Sequence, residues 1–340
     1  MKRFFPRSRA RWLGLACLAV TLTGSGFCDT IKEVRKKMGS RFELTVVHED
    51  RAVAEAAVEA AYAEIDRLEQ MISSWSPASE TSRINLKAGL EAVPVSSELF
   101  FLIGRALKVS QLTNGFFDIS FAAMGHLWNF KADPPVVPDS ESIEAALGLV
   151  DYRKILLDAS ARTVFLEAPG MRIGFGAIGK GFAANQAVKL LKSMGIKSGV
   201  VNAGGDLLLF GRQENGDPWS VAIADPRNPD HVFLRLHLTD HAIVTSGDYE
   251  SYFFKDGKRY SHIINPKTGY PASQLQSVTI LCPDAELADA LATAVFVMGP
   301  VEGMELVNRL KNVECLMVDA EGHPFYSNHV REKSLLSEEH

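Results

Sequence analysis

Residues 174–181 read GFGAIGKG, and this stretch satisfies one phosphate-loop pattern while missing another by a single position. Gly174, Gly176 and Gly179 fit G-x-G-x-x-G, the dinucleotide fingerprint; Gly174, Gly179 and Lys180 fit G-x-x-x-x-G-K. The second pattern fails at Gly181, where the motif needs a Ser or Thr hydroxyl on magnesium. The first needs a strand before it, a helix after it and, about 20 residues on, an acid for the ribose. Residues 162–166 and 171–173 are β-like, and 182–194 carry apolar residues at helical spacing. The following strand, 198–202, ends in Asn202, Ala203, Gly204 and Gly205 where the acid is required. A glycine-rich turn packing a helix on a sheet is the plainer reading.

The surrounding pattern weighs against a doubly wound sheet. Before the loop, 41–48 alternates as a strand, 53–72 and 96–113 carry apolar helical stripes, and 73–85 (SSWSPASETSRIN) is turn-rich. Asn114 and Gly115 close the second helix. Residues 116–130 are aromatic-rich, 132–140 form a proline-bearing loop, and a weak helix at 141–148 precedes short strands near Ile155 and Val164. Beyond 198, strands follow one another at 207–210, 219–224, 232–238, 242–245, 252–254 and 276–281 in a meander-like series. Helices at 286–298 and 301–310 and a strand at 313–318, closed by the turn Glu321-Gly322, complete the chain. Consecutive strands with helices at either end predict an α+β fold of largely antiparallel sheets with flanking helices.

At 340 residues, 46% hydrophobic and 23% charged, the chain has the composition of a globular enzyme. Residues 1–28 stand apart. Lys2, Arg3, Arg7, Arg9 and Arg11 precede an apolar run at 12–22 and small residues at 23–26, which is an export signal. The run is too short for a permanent membrane span. Cys28 stands where a lipid-modified cysteine would follow, but Phe27 occupies a position that wants a small residue, so plain cleavage near 26–28 competes with lipidation. The expected protein is exported and periplasmic, touching a membrane only through a lipid on Cys28. The net charge of −5 becomes more negative once the basic leader is removed, which excludes a nucleic-acid partner. Cys282 and Cys315 could pair in an oxidising compartment, but two buried thiols on strands is the plainer reading.

Asp289 and Thr293 stand four apart in ADALAT, on one face of a helix, and two oxygen donors there suit a hard cation such as Mg2+. Thr bonding back to its own helix is the bland alternative. His262, before the turn of SHIINPKTG, is a side chain able to take a proton near neutral pH. Gly247, Asp248 and Tyr249, like Gly204, Gly205 and Asp206, read as turn chemistry. Phe116 and Phe117, next to Asp118, offer faces for a planar ring, as does Trp75 in its polar loop.

Taken in order, MGSRFELTV from Met38, SSWSPASETSRIN, GFFDISFAAMGHLWNF, GFGAIGKGFAAN, VVNAGGDLLLFG, TSGDYESYFFKDGKRYSHIINPKTGYP and SVTILCPDAELADALATAVFVMG resemble the FAD:protein FMN transferase (ApbE) family. The resemblance covers nearly all of residues 29–340, as one catalytic domain. It implies a T-fold-related architecture with the active site in a cleft between two lobes. It also implies Mg2+-dependent transfer of FMN from FAD, here a substrate, to a Thr or Ser hydroxyl of an acceptor flavoprotein, with AMP released. The acceptor would be a subunit of an exported or membrane redox complex. Carried over by motif, Asp289, Thr293 and the carbonyl of Ala177 would hold the metal. Met38, Trp75, Phe116, Phe117, Asp118, Gly174, Lys180 and Ile264 would line the FAD site, and His262 would be the base. Gly174 stands where the family usually carries Asp.

A hydrolase splitting FAD into FMN and AMP is the nearest rival. A non-catalytic exported flavin-binding protein and an NAD-dependent dehydrogenase are the others, the last resting on the fingerprint alone.

Overall fold

The computed structural model of the chain describes residues 29–228, 230–328 and 330; the leader and Cys28 lie outside the described residues. The first strand, β1 (Asp29–Lys37), pairs antiparallel with β2 (Ser40–His48), and Lys37 opposite Ser40 leaves only Met38 and Gly39 to make the turn. Both have positive φ, 48° and 71°, the turn geometry whose twist matches that of the strands. β1 is absent from the strands expected above. Its sequence is mostly charged and buries Ile31 alone among its apolar residues, as suits the edge of a sheet.

β2 leads across the sheet to β6 (Ser198–Ala203), β7 (Asp206–Phe210), β10 (Ala242–Gly247), β13 (Leu275–Cys282), β14 (Glu314–Asp319) and β15 (Pro324–Tyr326). With β1 they form an eight-stranded sheet in the order β1-β2-β6-β7-β10-β13-β14-β15, antiparallel at every pairing. The expected fold class, α+β with largely antiparallel sheets, is the observed one.

The central strands β7 and β13 are buried at every position because both faces are covered, and alternation sorts their apolar side chains. Leu208, Phe210, Ala242, Val244, Ile280 and Cys282 join one core, under α1 (Arg51–Ile72), α5 (Gly179–Ser193) and α6 (Ala285–Met298). Leu207, Leu209, Ile243 and Leu281 turn the other way, onto the hairpin β8 (Trp219–Ala224) and β9 (Val232–Leu238). The single meander expected from the sequence is therefore corrected. β8 and β9 leave the main sheet to form a second layer, because Trp219, Val221, Ile223, Leu234 and Leu236 have that apolar face to bury. Cys282 and Cys315 are buried free thiols, as expected.

α3 (Ser97–Leu112) begins at the cap Ser96, whose hydroxyl accepts from Leu99 N–H, and ends in Asn114 and Gly115, both with positive φ. α6 starts at Asp284, which accepts from Leu287 N–H, and ends at Gly299, where Pro300 opens α7 (Pro300–Arg309). The segment expected as turns at 73–85 contains α2 (Glu80–Leu86), capped by Ser79. Residues 171–173, expected as β-like, are not a strand. The Asn85 side chain of α2 instead bonds both backbone groups of Ile173, at 3.0 and 2.7 Å, in place of a ladder. β3 (Val93–Pro94), β4 (Ile155–Asp158) and β5 (Thr163–Leu166) form a small sheet in the order β3-β5-β4.

A separate cluster of Met124, Trp128, Ile143, Ala146, Phe253 and Ile264 joins the short helix Ile119–Met124, α4 (Ser140–Leu147) and the hairpin β11 (Tyr252–Lys255) and β12 (Lys258–Ser261). His262 follows that hairpin directly.

Candidate functional site

The glycine loop resolves into coil and helix. α5 starts at Gly179, three residues earlier than the expected 182, so Lys180 and Gly181 stand in its first turn. No side chain of its own caps α5. The Gly181 N–H donates instead to Asp289 Oδ2 of α6 at 2.9 Å, a cap supplied by the neighbouring helix. Gly181 is also where the two helices touch: a Cβ there would sit 2.1 Å from the Ala285 carbonyl oxygen. The residue that disqualifies the P-loop is thus the contact that brings α5 onto the Asp289 helix.

Lys180 reaches the opposite way. Its Nζ lies 2.5 Å from Asp206 Oδ2, at the start of β7. Burial alone would lower the lysine's pKa, but Asp206, with Asp289 and Glu250 behind it, overrides that and holds the ammonium charged well above the ordinary range. Asp289 is buried, and that burial, reinforced by Asp206, pushes its carboxyl up to about 7 against the pull of Lys180 and Gly181 N–H. Desolvation likewise raises Glu250, with Lys180 opposing. One ammonium therefore faces three carboxylates.

Thr293 stands one turn after Asp289 on α6, and its Oγ1 lies 3.3 Å from Ser246 Oγ on β10. Asp289, Thr293 and the Ala177 carbonyl are all hard oxygen donors, which fits a small divalent cation completing its shell with phosphate and water. Among the described residues no group of three His, Cys, Asp or Glu side chains forms a self-sufficient metal cage.

His262 stands across from this cluster. Its backbone N–H donates to Ser251 O at 2.9 Å, and its Nε2 lies 3.9 Å from Glu250 Oε2. Burial holds the imidazole below its ordinary pKa, assisted by Lys180 and opposed by the Ser251 backbone and Asp248. Nδ1 is buried with no hydrogen-bond partner among the described residues. Nε2 is the nitrogen left to take a proton.

The remaining expected site residues fall into distinct settings. Met38 occupies the β1–β2 turn, held by its N–H on Glu69 Oε2 at 2.8 Å. Trp75 is 86% exposed in its loop. Phe116 carries Lys267 Nζ 3.6 Å from its ring centroid, whereas Phe117 turns into the main core and has no open face for a planar ring. That corrects the expectation that both rings are free to stack. Asp118 caps the helix Ile119–Met124 through Ser120 N–H and also accepts from Tyr152 N–H, each at 2.8 Å. It lines a cavity of about 410 Å³ with Asn114, Gly115, Tyr152, Pro266 and Lys267. Ile264 is buried in the hairpin lobe's core. Gly174 donates its N–H to Ile119 O at 3.0 Å, and a Cβ there would meet the Ala122 Cβ at 3.0 Å.

Asp206, Glu250 and Ser246 are members of the cluster that sequence reasoning passed over. Asp248, read as turn chemistry, is a buried carboxylate accepting from Arg227 at 2.6 Å and Arg259 at 3.3 Å. Gly204 and Gly205 do supply turn conformations, with φ of 72° and 110°. The only sequence signal for Asp206 was an acid following a glycine pair, which turns also produce.

Comparison with known proteins fits this arrangement. A model described as the ApbE family matches residues 38–317. The chain is 34% identical to the FAD:protein FMN transferase of Treponema pallidum, over 89% of this chain and 90% of that protein. With the protein of the same name from Klebsiella pneumoniae it shares 31% identity, over 85% and 84% respectively. Its fold superposes on the ApbE protein of Thermotoga maritima with a TM-score of 0.81 at 33% identity, covering 89% of this chain and 98% of that one. For the flavin transferase ApbE of Vibrio cholerae the TM-score is 0.81 at 26% identity, with 90% and 99% covered. The chain belongs to the ApbE family.

Proposed function

We propose that this protein is an FAD:protein FMN transferase that moves FMN from FAD to a Ser or Thr hydroxyl of an acceptor flavoprotein, with Mg2+ as its cofactor and AMP as the leaving group. The names of its relatives support the class of activity. The observation that carries the chemistry is the Lys180 ammonium set among Asp206, Glu250 and Asp289, with a low-pKa imidazole, His262, beside Glu250.

In this reading the acceptor oxygen forms a new P–O bond to the FMN phosphorus, and the bond from that phosphorus to the bridging pyrophosphate oxygen breaks. His262 Nε2 takes the hydroxyl proton, its neutral form being favoured by burial. Lys180 meets the negative charge that shifts onto AMP. Asp289, Thr293 and the Ala177 carbonyl would hold Mg2+, which when bound neutralises phosphate charge. Trp75 offers an open aromatic face for the flavin or adenine, Phe116 a ring now covered by Lys267, while Met38, Gly174 and Ile264 shape the walls.

The leader at 1–28 places the enzyme outside the cytoplasm in this reading, with its acceptor among subunits of exported or membrane redox complexes. Among the described residues no helix is long and apolar enough to cross a membrane. The deciding experiment incubates residues 29–340 with FAD, Mg2+ and an acceptor domain bearing a Ser/Thr flavinylation motif. Covalent flavin on the acceptor is the expected result. Free FMN and AMP beside an unlabelled acceptor would make the protein a hydrolase, and FAD left intact would make it a binding protein.

A further inference from the structure

Lysine is a flexible point charge on a four-carbon stem, and a catalytic ammonium needs something to hold it in place. The structure surrounds Lys180 with such a device. β6 and β7 are joined by Gly204 and Gly205, and Asp206 is paired with Ala203 across the turn. The turn is pressed against β2, for a Cβ on Gly204 would fall 2.1 Å from Ser40 Oγ and 3.9 Å from Lys180 Cδ. Asn202 Oδ1 fixes the turn by accepting from Gly205 N–H at 2.8 Å. Asp206 itself is 4% exposed. Its Oδ1 accepts from Thr245 N–H of β10 at 3.3 Å, and its Oδ2 faces Lys180 Nζ at 2.5 Å. The carboxylate is thus fixed by strands on both sides and has one group to serve.

We propose that Asp206 is a positioning residue that fixes the Lys180 ammonium for phosphoryl transfer. The ion pair is a 2.5 Å charge contact on one side of an ammonium that carries three donors with which to meet a pyrophosphate. The cost of burying the lysine is met by a partner that takes no part in bond making. The proposal rests on the transferase reading above in its catalytic consequence, but the restraint on Lys180 does not depend on that reading.

Two measurements test it on the protein spanning residues 29–340, as D206N, K180M and the K180M/D206N double variant beside the parent. The first is steady-state FMN transfer. Losing the anchor misplaces a group that acts in the transition state, so D206N lowers kcat about 30-fold while KM for FAD stays within about threefold. D206N made on top of K180M changes kcat by less than about twofold, because the catalytic effect of Asp206 runs through Lys180. The second is competitive acetylation of the folded protein with acetic anhydride, read by mass spectrometry. Lys180 labelling relative to the other lysines rises at least about fivefold in D206N, as a released ammonium loses its protection.

Unchanged kcat in D206N, an equal loss in the K180M background, or unchanged Lys180 labelling would each overturn the proposal. A parent that transfers no FMN would sink the transferase reading, and the labelling would still decide the restraint. If D206N fails to fold, K180M/D206N, which removes both members of the Lys180–Asp206 pair, still reads against K180M.

Discussion

The Gly181 amide donates to Asp289 Oδ2 at 2.9 Å, so the same carboxylate caps α5 and stands in the charged cluster. The glycine loop and α6 are one unit through this contact. A methyl at Gly181 would fall 2.1 Å from the Ala285 carbonyl oxygen, and backbone cannot swing aside as a side chain can. Gly181→Ala is therefore expected to destabilise the fold by about 3 kcal/mol, the upper end of overpacking costs. Gly181→Ser, which would complete the P-loop pattern, should be no better. Urea unfolding of the two variants checks this, and a loss below about 1 kcal/mol would show that the helices are free to separate.

Asp289 gives a pH signature. Its folded carboxyl is raised from 3.8 to about 7, so the metal-free protein holds a proton there that the unfolded chain releases. The stabilising contribution is full below about pH 4 and is lost as pH rises through about 7. A cation at Asp289 must displace that proton, so Mg2+ affinity should climb with pH up to about 7 and then level. Calorimetric titration at pH 6.5 in two buffers of different ionisation enthalpy should show proton release on Mg2+ binding. Asp289→Asn should abolish the release, and heats independent of the buffer would count against Asp289 as a ligand.

For His262 the sign runs oppositely. Burial lowers its pKa below 6.5, so the neutral base persists to lower pH than a free imidazole would allow. Transfer should fall on acidification with a midpoint below 6.5. His262→Gln should reduce kcat by about 10²–10⁴-fold, the usual range for a lost general base, with FAD binding by flavin fluorescence retained. A midpoint above 7 would mean that another group sets the profile.

Gly174 and Ala122 are expected to be coupled. The 3.0 Å approach between a Cβ at 174 and the Ala122 methyl leaves no slack. Gly174→Ala should cost about 1 kcal/mol, and Ala122→Gly in the same chain should recover most of it. Thermal melts of the single and double variants measure the coupling. Any larger side chain at that place needs the same space, so Ala122 and Gly174 belong together in this protein. Additive losses would break that link.

The parts of this fold that were legible in the sequence are those with long local periodicity. α1 shows its buried stripe from Ala54 through Ile72, and α6 its cap at Asp284 and stop at Gly299, so both ends fall within two residues of expectation. β1 escaped because an edge strand with charged side chains has almost no apolar alternation to show. α2 escaped because a single turn or two in a serine-rich stretch is held by Ser79 and Asn85, not by a stripe. Which layer β8 and β9 join was unreadable, since consecutive hairpins look alike in either layer. In the site, Asp289, Thr293 and His262 carried recognisable spacing or chemistry. Asp206 meets Lys180 only after β6 and β7 have been laid beside β10, and no local pattern records a contact of that kind. Phe117 misled because adjacent aromatic residues differ in which way they point, and the sequence does not say which ring enters the core.

The sheet order has a consequence for how the molecule comes into being. β2 ends at His48 but finds its partner β6 only at Ser198, and the helix bearing Asp289 and Thr293 ends at Met298. A chain synthesised from its N-terminus must hold the β1–β2 hairpin, one edge unpaired, until Ser198 and the strand it opens have been made. The long loop closure makes that docking a slow event and leaves an open strand edge exposed to other chains meanwhile. No shorter nascent fragment can assemble the reactive centre, so the polypeptide stays inert towards its cofactor until nearly its last helix has emerged.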